Sequence, residues 1–89
     1  MYTLNLYCLY YQNKLVGRIL PESYGKGDFR TTYNQDNGLV SVFLDNSGIC
    51  DFFWNQKESK LEVRKTKWED GVMVSETLEK SLDLNDGKK

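Results

Sequence analysis

Apolar and polar positions alternate along most of the chain, and residues that suit turns break the alternation at short intervals. The breaks are YQNK (11–14), PESYGKGD (21–28), QDNG (35–38), DNSG (45–48), NQKES (55–59) and EDG (69–71). Between them lie strand-length stretches rich in Val, Ile, Leu, Thr and aromatic residues. The predicted class is all-β. An N-terminal hairpin plus a five-stranded meander, about seven strands in all, form a small antiparallel meander, closed as a barrel or packed as a two-layer sandwich. Val74, Leu78 and Leu82 also fit a helical stripe. Strand is therefore expected to about Leu78, followed by a short helix or a frayed end. Residues 1–84 are expected to form a single β domain and residues 85–89 a flexible tail.

Register follows from the turns, because a slip of one residue exchanges the two faces of a strand. Asn37-Gly38 as a two-residue type I′ turn sets Tyr33 opposite Val42 and Thr31 opposite Leu44. A three-residue loop at 46–48 sets Leu44 opposite Cys50, Val42 opposite Phe52 and Val40 opposite Trp54. A loop at 56–59 sets Trp54 opposite Leu61 and Phe52 opposite Val63. Asp70-Gly71 as a second type I′ turn sets Val63 opposite Leu78, Lys65 opposite Glu76 and Trp68 opposite Met73. In the N-terminal hairpin, a turn at Gln12-Asn13 sets Leu6 opposite Ile19, Cys8 opposite Gly17 and Tyr10 opposite Leu15. Tyr7 then meets Arg18 on the reverse side as a cation–π pair. The predicted core is Leu4, Leu6, Cys8, Ile19, Tyr33, Val40, Val42, Leu44, Cys50, Phe52, Trp54, Leu61 and Val63.

The stretch GICDFFWNQ (48–56) is greasy on both faces. In the register above, Phe43 lies opposite Asp51 and Phe53 opposite Ser41, which makes the two phenylalanines diagonal neighbours. With Arg30, Asp51 and hydroxyls at the rim they have the anatomy of a binding hot spot. Three things are candidates to cover it: the C-terminal segment through Leu82 and Leu84, the N-terminal hairpin through Tyr7, Leu9 and Val16, or a partner. The expected partner-binding residues are Phe43, Phe53, Arg30 and Asp51, with Tyr7 and Tyr11 secondary.

Candidate chemistry is sparse. The 89 residues contain no histidine, which excludes Ser-His-Asp and Cys-His catalysis and most zinc hydrolase sites. Asp36, Asp45, Asp51 and Asp70 lie in or beside turns, where aspartate is expected for backbone reasons. YGKGD (24–28) has a lysine among glycines but lacks the GxxxxGK[ST] spacing and the following helix of a phosphate loop. It reads as a flexible connection. Cys8 and Cys50 show no CxxC spacing and sit among apolar neighbours, as buried free thiols of an intracellular protein do. Neither a membrane-length apolar run nor a signal-peptide pattern is found, so a cytoplasmic location is expected, without cofactor or metal.

Charge adds one feature. The net charge of −1 disfavours strong nonspecific nucleic-acid binding. Yet residues 57–68 carry five cations against two anions, and residues 69–86 carry six anions against one lysine. One reading is a solvated strand neutralised by its acidic neighbour. The other is an RNA- or single-stranded-DNA-binding strand with Lys57, Lys60, Arg64, Lys65 and Lys67 on phosphate and Trp68 stacked on a base. The function expected first is a non-catalytic protein-binding module, a viral or bacterial inhibitor or adaptor that occupies a partner's surface. A homodimer is an open alternative.

Overall fold

The structure is a computed structural model that describes residues 2–24, 28–45, 47–55 and 60–84. Its elements run β1 (Thr3–Tyr11), β2 (Lys14–Ile19), α1 (Pro21–Tyr24), β3 (Phe29–Asn34), β4 (Leu39–Leu44), β5 (Ser47–Phe53), β6 (Lys60–Glu69) and β7 (Val72–Asp83). Two antiparallel sheets result, one of four strands in the order β2-β1-β6-β7 and one of three in the order β3-β4-β5. The all-β class and the two-layer alternative therefore hold. The five-stranded meander does not, because β6 leaves β5 and pairs with β1 along its whole length. Hairpin connectivity allows either outcome. The apolar faces of β4–β5 and of β6 are covered more completely by stacking two sheets than by one sheet of limited width.

The turns set the starting register of each hairpin. Gln12 and Asn13 (φ 55° and 63°) and Asp70 and Gly71 (φ 53° and 85°) occupy the left-handed region, as type I′ turns require. Between β3 and β4, only Gly38 does so (φ 73°), and the loop has four residues. It is held by Gly38 N–H on the Asn34 carbonyl (2.8 Å) and by the side chains of Asn34 and Asn37 on backbone N–H groups (both 2.9 Å). The longer loop moves the pairing by two residues, to Tyr33–Val40, Thr31–Val42 and Phe29–Leu44. An even shift leaves every face as predicted.

Bulges do what turns do not. β2 shifts register at Leu9/Tyr10, so Cys8 is opposite Arg18 and Leu9 opposite Gly17, while Tyr10–Leu15 is retained. β7 shifts at Lys67/Trp68 and again at Val63/Arg64, so Trp68–Met73 stands but Leu78 lies opposite Arg64 and Lys65 opposite Thr77. In β5 a shift at Val42/Phe43 places Val42 opposite Cys50, Val40 opposite Phe52 and Ser41 opposite Asp51. Each bulge adds one residue to one strand and so reverses the faces beyond it.

The core lies between the sheets. It comprises Leu9, Tyr11, Ile19, Val40, Val42, Leu44, Phe52, Leu61, Val63 and Leu84. The predicted core is recovered on β4, β5 and β6. It is inverted on β1, where Leu9 and Tyr11 face the other sheet while Leu4, Leu6 and Cys8 occupy the opposite, outer face. The Tyr11 hydroxyl accepts from Asn55 N–H (2.7 Å) and lies 3.3 Å from the Asn55 carbonyl, which ties the end of β5 to β1. β7 continues as strand to Asp83, so the helix expected after Leu78 is absent among the described residues. Leu82 and Leu84 pack into the core instead of reaching back over Phe43 and Phe53. The expected tail, residues 85–89, lies outside the described residues, as do the loop at 56–59 and residues 25–27.

The two sheets meet closely at Gly17. A Cβ there would stand 3.2 Å from both Cys50 Cβ and Ile49 Cγ2. Gly17→Ala is expected to destabilise the fold by about 1–3 kcal/mol, the usual cost of overpacking. Urea unfolding checks this, and adding Ile49→Ala should recover part of the loss. Cys50, beside Gly17, gives a pH signature. Burial, and next the charge of Asp51, push its thiol up from 9.0 to about 11. Between those values the folded state keeps a proton that the unfolded state has lost, so stability falls as pH rises through that window and is undiminished below it. Cys50→Ala should lack this part of the fall. Tyr10 and Tyr24, both raised chiefly by burial, should add to the fall at higher pH in either protein.

Candidate functional site

The residues expected to form an aromatic hot spot are not brought together. Leu39, not Ser41, lies opposite Phe53, and Phe43 lies opposite Gly48. Phe43 and Phe53 thus stand four positions apart along β4, about 13 Å at ~3.3 Å per residue. The Phe43 ring rests over Gly48, where an added Cβ would be 3.6 Å from the ring. Arg30 is next to Phe43, but its guanidinium donates to the Asp45 carbonyl (2.6 Å). Asp51 is exposed opposite Ser41, and Phe53 is 72% exposed. Phe53 is the one exposed large hydrophobic of the three-stranded sheet among the described residues, and a single exposed ring is ordinary. The two secondary residues are engaged internally. Tyr11 is buried and stacked on Phe52 with ring centroids 4.4 Å apart. Tyr7 stacks on Tyr24 at 3.9 Å. The expected Tyr7–Arg18 contact is replaced by Arg64, whose guanidinium lies 4.2 Å from the Tyr10 ring.

The basic strand is β6, and its alternation divides the cations. Arg64 and Trp68 face outward, whereas Lys65 and Lys67 share the inward parity of Leu61 and Val63. Lys57 lies outside the described residues. Lys60 pairs with Asp83 (3.5 Å) and Lys67 with Glu69 (3.8 Å). Arg64 is held by Glu62, Glu76 and the Asn13 side chain, and the Glu62 hydrogen bond raises its pKa further. Glu76 thus serves Arg64, not Lys65. The strand has no single row of free cations for a phosphate backbone to follow.

Among the described residues, an apolar cleft forms elsewhere, on the outer face of the four-stranded sheet. Leu4, Leu6, Cys8 and Tyr10 of β1 lie opposite Trp68, Thr66, Arg64 and Glu62 of β6. Met73 and Leu78 of β7 continue this face beyond Trp68 and Arg64. At one end Tyr2, Leu4, Leu6, Arg18, Trp68 and Gly71 line an open cleft of about 340 Å³. The mouth is fixed from both sides. Tyr2 N–H donates to Asp70 Oδ1 (3.1 Å) and Asp70 N–H to the Tyr2 carbonyl (3.0 Å).

Thr66 sets the Trp68 wall. It is 1% exposed. Its hydroxyl donates to the Leu6 carbonyl (3.0 Å) and accepts from Trp68 Nε1–H (2.8 Å). The hydroxyl has one hydrogen, so Cys8 Sγ, 3.5 Å away, is the donor in their contact. This arrangement uses the indole N–H internally and presents the ring as apolar wall. Arg18, exposed and with no ion pair or hydrogen bond among the described residues, is the charged member of the lining.

Of the binding residues expected from the sequence, only Trp68 belongs to this cleft. Leu4 and Leu6 read as core because β1 is apolar at both parities, and Arg18 reads as the partner of Tyr7 on the reverse face, a pairing that the bulge replaces with Cys8–Arg18. The one usable signal was the Asp70-Gly71 turn, which places Trp68 beside Met73. Among the described residues no group of three or more Cys, Asp or Glu is placed to hold a metal ion, and no helix is long and apolar enough to cross a membrane.

Thr66→Val removes the acceptor for the indole while keeping the shape. The expected loss is about 1–3 kcal/mol, that of leaving buried polar groups unpaired. Chemical unfolding measures it, and the Trp68 indole N–H resonance should move, whereas Thr66→Ser should hold both near wild type. No family model, no curated protein and no solved structure matches the chain, so the geometry of this face is the guide to function.

Proposed function

We propose that the chain is a non-catalytic protein-binding module, an inhibitor or adaptor that occupies a partner's surface through the outer face of its four-stranded sheet. The observation that carries the reading is the apolar cleft at Leu4, Leu6 and Trp68, with Met73 (38% exposed) beside Trp68 on the same face; Leu78 (55% exposed) lies further along, past Glu76. Contiguous apolar surface rimmed by polar groups is the usual mark of a protein contact.

Contact through the face is favoured over addition of a strand to the edge. β7 is an edge strand of twelve residues. Its two bulges, opposite Lys67/Trp68 and Val63/Arg64, interrupt the regular row of backbone groups that strand addition needs. Glu76 and Glu79 place negative charge along it. Glu62 and Glu76 beside Arg64 likewise disfavour a polyanion on the outer face.

The test is selection of a displayed random-peptide library on the full chain, followed by NMR mapping of the enriched peptides. They are expected to perturb Leu4, Leu6, Trp68 and Met73 and to lose binding when Leu4 and Met73 are both changed to Glu. Enriched peptides that map to Phe53 and the three-stranded sheet would sink the choice of face. Absolute mass over a range of concentrations shows whether a second copy is the occupant. A dimer broken by the same double change would mean that it is.

A further inference from the structure

Resting on the protein-binding reading, we infer that the cleft takes a carboxylate-bearing apolar segment of the partner: an aliphatic or aromatic side chain against Trp68, Leu4 and Leu6, with a neighbouring Asp or Glu on Arg18. The lining divides into an apolar body and a single cation. Three of its other polar groups are occupied. The indole N–H is used by Thr66, and the Tyr2 backbone N–H and carbonyl are used by Asp70. A site of this kind binds an apolar body for affinity and one complementary charge for orientation.

Arg18 differs from the other arginine on this face. Arg64 is enclosed by two carboxylates and the Tyr10 ring, so it has no charge to offer a ligand. Arg18 shares the outer parity of Cys8, projects from a strand at the sheet edge and has no carboxylate partner among the described residues. The chain already carries acidic groups around Arg64, so an isolated cation beside an apolar wall is a point of charge complementarity for an acidic segment. A nucleotide offers the same pairing of ring and anion. Glu62 and Glu76, however, lie on the same face and oppose a chain of phosphates.

The probes are two blocked tripeptides, acetyl-Leu-Asp-Phe-amide and its neutral twin acetyl-Leu-Asn-Phe-amide, titrated to millimolar concentration into the isotope-labelled full chain. Backbone amides and the two indole N–H signals are followed, which separates Trp68 from Trp54. The acidic peptide is expected to perturb Leu4, Leu6 and Trp68 and to bind about 2–5-fold more tightly than its twin, the range for a solvent-exposed ion pair. The preference should disappear in Arg18→Gln and shrink with added salt. Equal affinity of the twins overturns the carboxylate and leaves the binding face standing. No perturbation at the cleft by either overturns both. Tighter binding of a short oligothymidylate at the same residues replaces the peptide with a nucleic acid. The comparison of twins on the unaltered chain holds even if Arg18→Gln does not fold.

Discussion

The pairing of β1 with β6 is the constraint on which the rest of the structure depends. It runs from Thr3–Glu69 to Tyr11–Leu61 and joins the two ends of the chain into one sheet. Without it the β1–β2 and β6–β7 hairpins are separate two-stranded ribbons, which are marginal in water. With it, Leu9 meets Val63 and Tyr11 meets Leu61, and these four supply much of the surface against which Val40, Val42 and Phe52 of the other sheet pack. The hydrogen bonds from Tyr11 to Asn55 then fasten the chain where it leaves β5. Because the closing contacts are remote in sequence, their entropy of closure must be offset by burial, which the Leu9–Val63 and Tyr11–Leu61 pairs supply.

The same pairing gives β1 its two characters. Its inward residues complete the core. Its outward residues, Leu4, Leu6 and Cys8, are equally apolar and have only their own sheet beneath them. Cys8 and Thr66 are buried there nonetheless, under the hydrogen-bonded Trp68. The outer face is thus a partly built second layer: closed in the middle by Thr66, Trp68 and Arg64 stacked on Tyr10, and open at the end where Tyr2 and Gly71 border the cleft. A surface held in shape from below and left apolar above suits a contact with another protein, since little order is lost when the contact forms.

Charge follows the same division. Part of the acidic run after residue 69 is paired with β6, through Glu76 on Arg64 and Asp83 on Lys60. What the sequence shows as a polarised chain becomes a partly neutralised hairpin, and Arg18 on the opposite edge strand is left as the cation beside the apolar cleft. That contrast underlies both the protein-binding reading and the choice of an acidic segment.

How much of this was legible in the sequence depends on whether a strand has one apolar parity or two. On β4, Val40, Val42 and Leu44 alternate with Leu39, Ser41 and Phe43, and the turn signals placed the core face correctly despite a two-residue error in register. Asp70-Gly71 likewise placed Trp68 beside Met73, since both residues take the positive φ of a type I′ turn. The chain by itself therefore determined the all-β class, the hairpins, the core face of the three-stranded sheet and the absence of histidine chemistry. It did not determine which face of β1 is inward, because both are apolar and a bulge leaves no compositional trace. Nor did it determine whether β6 pairs with β5 or with β1, because both choices bury Leu61 and Val63. Only the stacking of the two sheets resolves these, through contacts such as Gly17 against Cys50 and Ile49 that no local pattern encodes. The location of the cleft follows from that tertiary choice.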